Sequence, residues 1–373
     1  MEIALQCKEI DRLVPTTIVQ QTAFWGRVKH RLGLEVQAFD LQARVAPEGV
    51  PGCQGDFLVL RRPLPGGGEM AYVPFGPELN PGEGVAGPFL EQLSWGIRRI
   101  AGPRCSFVRW DLPWESPYAQ DPEHHDVAGR WLGPPPSWVR ELRMNWGSAT
   151  HGLRKAHGDM LPVSTMVVDL TAPEEELLRR MKPKTRYNVH LAAQRGVEVT
   201  VGGLADLPTW LALYEETATR HGLPHAPAEL FEAVLSESGA GSSSPVTTRL
   251  LLARRRDEAL AGMILARSGP RATFLYGAST RRQRDCMASY ALQWAAMRLA
   301  KAAGCRDYDL LGVSPRPDEE HPLLGLHRFK AGFGGQLVHR EGCWDFPFDP
   351  EEYQRWQALQ TARACQAATH ATH

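Results

Sequence analysis

The segment LHRFKAGFGGQLV, residues 326–338, sets an aromatic and an ammonium, Phe329 and Lys330, before a glycine-rich turn and a final strand. A lysine so placed suits stabilisation of the negative charge that grows on an ester carbonyl oxygen as an amine attacks it; it also fits an ordinary helix-terminal lysine. Asp111 ends the apolar run CSFVRWD and stands at the carboxyl end of an expected strand, where a carboxylate can orient or deprotonate an amine, or simply cap a loop.

Phosphate chemistry is suggested by the run LLRRMKPKTRYNVHLAAQRGV, residues 177–197, which holds Arg179, Arg180, Lys182, Lys184, Arg186 and Arg195 and no acid. A solvated basic helix face is the plainer alternative. Within the run, Arg186 offers a fork for phosphate or carboxylate oxygens and Tyr187 a hydrogen bond or a stacking surface. Near the amino end, Gln21, Trp25 and Lys29 recur every four residues and share a helix face. A third basic stretch follows FLYGAST, residues 274–280, where RRQRDC turns the chain into a helix. A CoA-dependent acetyltransferase would hold pyrophosphate there with glycines that let backbone N–H groups approach. Here Arg284 is followed by Met287 and Ser289, whose side chains would crowd such a cradle, so the acyl donor is expected to be something other than acyl-CoA.

The elements that must position these residues alternate between helical and strand periods, giving an α/β (α+β) chain. Helices are expected over 18–32, 88–101, 173–181, 184–195, 207–221, 227–237 and 287–303. Strands are expected near 34–45, 56–62, 69–75, 105–112, 165–170, 197–201, 247–254, 259–267, 271–277 and 307–313, with Gly66, Gly67 and Gly68 marking a turn. Helix 88–101, Gly102 and its strand are echoed by helix 287–303, Gly304 and DYDLLGV, both helices carrying Leu-x-Trp, which favours two related domains. The Pro- and Gly-rich stretch 112–164 reads as a linker with surface loops.

At 373 residues the chain has room for two or three domains, and 42 basic against 42 acidic residues confine any nucleic-acid contact to a local patch. Seven scattered cysteines, an odd number without CxxC or metal-type spacing, suit a reducing cytosol and predict no metal. Charges in MEIALQCKEIDR break the apolar core a signal peptide needs, and no run of about 18 apolar residues is present. The closing ATHATH has neither periodicity nor caps.

The stretches MKPKTRYNVHLAAQRGV, FLYGAST with YALQWAAMRLAKAAGCRDYDLLGV, and HRFKAGFGG, in this order, resemble the Fem family of peptidoglycan aminoacyltransferases, above all its FemX-like members that build interpeptide bridges. The resemblance spans nearly the whole chain. It implies two acetyltransferase-like (GNAT-type) domains, 1–164 plus 339–373 and 165–338, without the coiled-coil insertion of some members. It implies transfer of an amino acid from aminoacyl-tRNA to the side-chain amine of residue 3 of the stem peptide, on UDP-MurNAc-pentapeptide or lipid II. It further implies no cofactor, no DNA, and a cytoplasmic enzyme in peripheral contact with the inner membrane face. Lys29 and Tyr276, with Arg186 and Tyr187, resemble positions that bind the precursor; Phe329 and Lys330 resemble the pair that receives the aminoacyl end, and Asp111 the acid near the acceptor amine. The rival readings are an acyl-CoA-dependent N-acyltransferase and a non-catalytic tRNA- or precursor-binding protein.

Overall fold

A computed structural model describes residues 2–44, 53–65, 67–127, 129–239, 241, 245–316 and 324–359. Gly66, most of the polar loop 239–245, Cys365 and the closing ATHATH lie outside the described residues. The chain forms two compact units, one of 1–14, 33–163 and 339–373, the other of 15–32 and 164–338.

In the first unit, strands Glu2–Lys8, Glu35–Arg44, Cys53–Pro63 and Glu69–Val73 pair antiparallel in sequence. The helix Ala86–Ala101, ended by Gly102 at φ 81°, then crosses over to Cys105–Glu115, which pairs parallel with Glu69–Val73. Register runs from Glu69 opposite Cys105 to Val73 opposite Trp110, the full length of the shorter strand. Residues 340–347 of the last strand, Gln336–Pro347, pair antiparallel with Cys105–Glu115. Phe39, Phe57, Phe89, Leu93, Trp110 and Trp344 fill the core beneath the helix.

The stretch 112–164 is not a linker, for all of it up to Val163 is part of this unit. It completes strand Cys105–Glu115, contributes the helix Ser137–Met144, and buries Trp114, Trp131, Met144 and Leu153. Its prolines and glycines shape turns between elements too short to show a period. The strand Glu2–Lys8 was also hidden: Glu2, Gln6 and Lys8 alternate with Ile3, Leu5 and Cys7 along an edge, and Lys8 reaches Asp40 and Asp56 at 2.7 and 2.8 Å.

The second unit repeats the device. Strands Val197–Gly202, Val246–Arg255, Glu258–Ser268 and Arg271–Ser279 pair antiparallel, and the helix Ala288–Ala302, followed by Gly304 at φ 83°, crosses to Asp307–Gly312. That strand lies parallel to Arg271–Ser279 on one side and antiparallel to Ser164–Asp169 on the other. The inner strands read as nearly continuous apolar runs, LLLA and AGMILA, because helices cover both their faces. Leu251, Met263 and Leu265 share a core with Leu292 and Met297, while Gly262 faces Trp210 and Leu213.

Residues 15–32, expected in the first domain, belong to this second unit. Thr22 caps the helix Ala23–Arg31 by accepting the Trp25 N–H, and the residues before it form a 3-10 turn, Val19–Gln21. Arg27 and Arg31 bond Glu237 at 3.0 and 3.5 Å, and Ser268 donates to the Thr16 carbonyl, so side chains distant in sequence fix the segment's place. The longest described helix has 16 residues, and no coiled-coil hairpin occurs among the described residues.

Candidate active site

The parallel pairing of the second unit stops early. Register holds from Arg271 opposite Asp307 to Thr273 opposite Asp309, although the strands continue to Ser279 and Gly312. Asp309 causes the parting. Its buried carboxylate accepts the N–H of Leu311 at 2.8 Å and the hydroxyl of Thr165, and Leu311 takes the left-handed conformation at φ 53°. A side chain that captures a backbone N–H two residues on competes with the ladder. The strand regains its antiparallel partner at Gly312, opposite Thr165, after a register shift. Opposite, Leu275 is an extra residue between the pairs Leu265–Phe274 and Ile264–Tyr276, a bulge that turns the second strand.

Lys330 lies in the opening. It ends the helix Leu324–Lys330, is 4% exposed, donates from Nζ to the Gly312 carbonyl at 2.8 Å, and sits 5.4 Å from the centre of the Phe274 ring. The ammonium thus spans the two parted strands. Gly277 makes the ring's position available, since a Cβ there would collide with Phe274. Burial pulls the lysine down to about 8, with the charge of Asp309 opposing the shift. His327, one turn earlier, is also buried and fixes the helix through Nδ1 and the Ser314 carbonyl, 2.8 Å apart.

Phe329 points to a neighbouring cleft of about 500 Å³ lined by Lys184, Asn188, Arg282, Arg284, Met287 and Tyr290, among others. Its ring meets Tyr290 and Phe333 edge-on at 5.0 and 5.2 Å. The amino terminus of helix Ala288–Ala302 opens into this cleft, a partial positive charge added to the basic side chains. Met287 caps that helix at φ 56°, a conformation a glycine would take freely, so its side chain stands where a glycine-lined pyrophosphate cradle would be bare.

The remaining sequence-predicted residues divide sharply. Tyr276 leaves the bulge half-buried against Phe231 at 5.3 Å, its hydroxyl raised by burial. Lys29 lies 4.4 Å over the Trp25 ring, so the four-residue spacing does place them together. Tyr187 is 62% exposed on the helix Pro183–Gln194. Arg186, expected to grip substrate, instead turns Nη1 to the carbonyls of Leu178 and Arg179 at 3.3 and 3.2 Å, capping the preceding helix. The acid-free basic run is likewise partly neutralised from outside: Arg179 and Arg180 pair with Glu176, and Arg195 with Asp285. Lys182 and Lys184 remain exposed.

Asp111 is in the first unit and has no exposed surface. It accepts the Tyr72 hydroxyl at 2.9 Å and the Leu161 N–H at 3.1 Å. Burial pushes its carboxyl up to about 6, the Tyr72 hydrogen bond opposing and the charge of Asp159 adding. A carboxylate enclosed in this way holds the 159–163 segment to the sheet and cannot touch an acceptor amine, which corrects the expectation drawn for it.

Residues 12–237 and 247–361 match the FemAB family. The chain belongs to that family. Among FemAB-like relatives, the lipid II:glycine glycyltransferase of Staphylococcus epidermidis is 24% identical over 272 residues, 58% of this chain and 65% of that one. Its counterpart in Staphylococcus haemolyticus is 32% identical over 95 residues, 26% of this chain and 23% of that one. The matches therefore span less than two thirds of either relative. The crystal structure of FemX superposes with a TM-score of 0.70 at 17% identity, covering 92% of this chain and 96% of that one. The fold of this FemAB member is thereby established.

Lys330, Phe329 and Tyr276 were candidates in the sequence; Asp309, Thr165, Phe274 and Gly277, which build the opening, were not. Asp309 did leave a signal, an acid inside the apolar strand DYDLLG. The others are unremarkable residues whose role exists only after strands distant in sequence meet.

Proposed function

We propose that this FemAB-family chain transfers an amino acid from aminoacyl-tRNA to the side-chain amine of residue 3 of a peptidoglycan stem peptide. The observation that carries the reading is Lys330, a buried ammonium fixed between parted strands beside a basic, aromatic cleft. The names of the relatives, glycyltransferases of lipid II, support the acceptor class and make glycine the first amino acid to try.

An aminoacyl ester is already activated, so positioning does much of the work. The neutral amine attacks the ester carbonyl carbon, and Lys330 donates to the oxygen as it becomes an oxyanion. Collapse restores the carbonyl, breaks the ester C–O bond and releases the ribose hydroxyl, which gains a proton as the new amide nitrogen loses one. The phosphates and terminal base of a tRNA end suit a cleft of Lys184, Arg284, Tyr290 and Phe329. The site residues need no metal or organic cofactor for this step. Lys29 and Tyr276 are the proposed contacts to the precursor, in the cytoplasm.

The test is radiolabel transfer from a panel of aminoacyl-tRNAs to UDP-MurNAc-pentapeptide and to lipid II, with acetyl-CoA as control donor. Label on either acceptor from one aminoacyl-tRNA is expected. Label from acetyl-CoA alone would replace this reading with an N-acyltransferase, and none from any donor would favour a binding protein.

A further inference from the structure

Most buried indole and phenol donors of the first unit reach an oxygen. Trp110 donates to Ser94 Oγ at 2.9 Å, Trp114 to the Pro77 carbonyl at 2.9 Å and Trp131 to the Tyr118 carbonyl at 3.0 Å. Tyr72 and Tyr353 donate to Asp111 and Asp345 at 2.9 and 2.7 Å. Three donors depart from this pattern. Trp344 Nε1, Arg140 Nε and the Tyr118 hydroxyl have no hydrogen-bond partner among the described residues, although these residues are only 1%, 9% and 5% exposed. A buried donor left without an acceptor is costly, and all three residues line one cavity of about 170 Å³.

The cavity is built within the first unit. Trp114 and Met144 give it apolar walls, and Ala86, the first residue of the helix Ala86–Ala101, stands in its lining. Val85, at the cap position of that helix, makes no side-chain hydrogen bond, so the helix end keeps its partial positive charge. Gly87 brings this end against the helix Ser137–Met144, since a Cβ there would overlap the Met144 carbonyl. The formal charges are already matched: Arg140 Nη2 lies 3.3 Å from the Glu341 carboxylate, and Arg143 bonds Glu83 at 2.6 Å. Arg143 also lies over the Tyr118 ring, 4.9 Å from its centre, and as a donor it cannot take the hydroxyl proton.

We infer that this cavity binds a small monocarboxylate, whose oxygens accept from Trp344 Nε1, Arg140 Nε and the Tyr118 hydroxyl. Indole and guanidinium nitrogens only donate, so the occupant must accept. The helix end favours an anion over a neutral carbonyl. Glu341, Glu83 and Glu115 in the lining disfavour a doubly charged phosphate, which would call for a free cation. The space is close to the roughly 150 Å³ that admits benzene in an apolar cavity, which limits the enclosed body to about ten non-hydrogen atoms. Free acids and the carboxyl ends of peptides share this chemistry. The inference does not rest on the proposed transfer reaction.

The experiment is titration calorimetry of the full chain with N-acetylalanine and N-acetylalanylalanine, each in L and D forms, against their carboxamides and inorganic phosphate. At least one acid is expected to bind tenfold or more tightly than its carboxamide and than phosphate. Tyr118→Phe and Trp344→Phe should each weaken that binding at least threefold. Because the Tyr118 hydroxyl has no partner in the free chain, Tyr118→Phe should match or exceed the wild-type Tm without ligand, while the ligand-induced rise in Tm shrinks. Tighter binding of the dipeptide acid assigns the cavity to peptide ends, and tighter or equal binding of N-acetylalanine assigns it to free acids. Lys330→Met, in the second unit, should bind the acid as wild type does. The proposal is overturned if neither acid binds, if a carboxamide or phosphate binds equally well, or if wild type and both cavity variants bind alike. Loss of binding in Lys330→Met would also overturn it, by moving the site to the proposed transfer centre.

Discussion

Each unit contains one strand–helix–strand crossover that ends in a parallel pair, and the two pairs differ where it matters. In the first, Glu69–Val73 zips along Cys105–Glu115 to its end, and Gly76 N–H then bonds the Asp111 carbonyl at 3.0 Å. In the second, pairing ends at Thr273 and Asp309, and the space beyond holds Lys330. Both contain a buried ionisable group. Asp111 is enclosed by the elements it joins, whereas Lys330 bridges strands that have separated. The contrast shows how one supersecondary unit closes into a framework or opens into a candidate site, according to whether a side chain such as Asp309 captures a backbone N–H beside the ladder.

Removing the ammonium should break the comparison most. Lys330→Met is expected to lower kcat by roughly 100- to 1,000-fold, the usual loss for an oxyanion donor, while precursor affinity by titration calorimetry stays near wild type. Asp309→Asn sharpens the point, because amide and carboxylate can both accept the Leu311 N–H but only the carboxylate holds a proton on Lys330. We expect about a tenfold lower rate at pH 8 and a more acidic loss of activity, measured by initial rates. Phe329→Ala should raise KM for the aminoacyl-tRNA by roughly tenfold, the scale of one lost stacking contact, with KM for the precursor unchanged in the same assay.

Asp111 predicts the opposite kind of result. Its carboxyl is raised from 3.8 to about 6, so the folded chain holds a proton that the unfolded chain releases between those values. Wild-type stability should fall as pH rises through that window, by up to about 3 kcal/mol, relative to Asp111→Asn. Urea unfolding at pH 4 and pH 7.5 measures this, and the variant should retain activity within a few-fold. A loss as large as that of Lys330→Met would restore Asp111 to the chemistry. The smallest effect expected is for Arg186→Ala, about 1 kcal/mol of stability from the lost helix cap, read by thermal unfolding.

Much of this arrangement was legible in the residues. The repeated helix–glycine–strand order matched two real crossovers because a left-handed residue after a helix and an apolar strand are local requirements. Lys330 and Phe329 stood out because an aromatic and an ammonium precede a glycine-rich turn. Partner choice was not visible: whether Arg186 meets a ligand or the carbonyls of Leu178 and Arg179 depends on how two helices meet, and whether Asp111 is open or enclosed depends on Tyr72 and Leu161. Residues 15–32 were assigned by adjacency, whereas their ion pairs are with Glu237, more than 200 positions away.

The most direct test is the pH dependence of single-turnover transfer from glycyl-tRNA, or whichever aminoacyl-tRNA proves active, to the precursor. An ordinary lysine loses its proton near 10.5, but burial sets Lys330 at about 8, so the proposed oxyanion donor loses its proton above that pH. The linked stability has the opposite trend: between about 8 and 10.5 the unfolded chain holds more protons, and stability rises with pH while the rate falls. A falling limb centred near pH 8 in the wild type, absent from the residual activity of Lys330→Met, is the predicted result. A wild-type rate that holds steady to pH 10, or a limb that survives in Lys330→Met, would contradict the account.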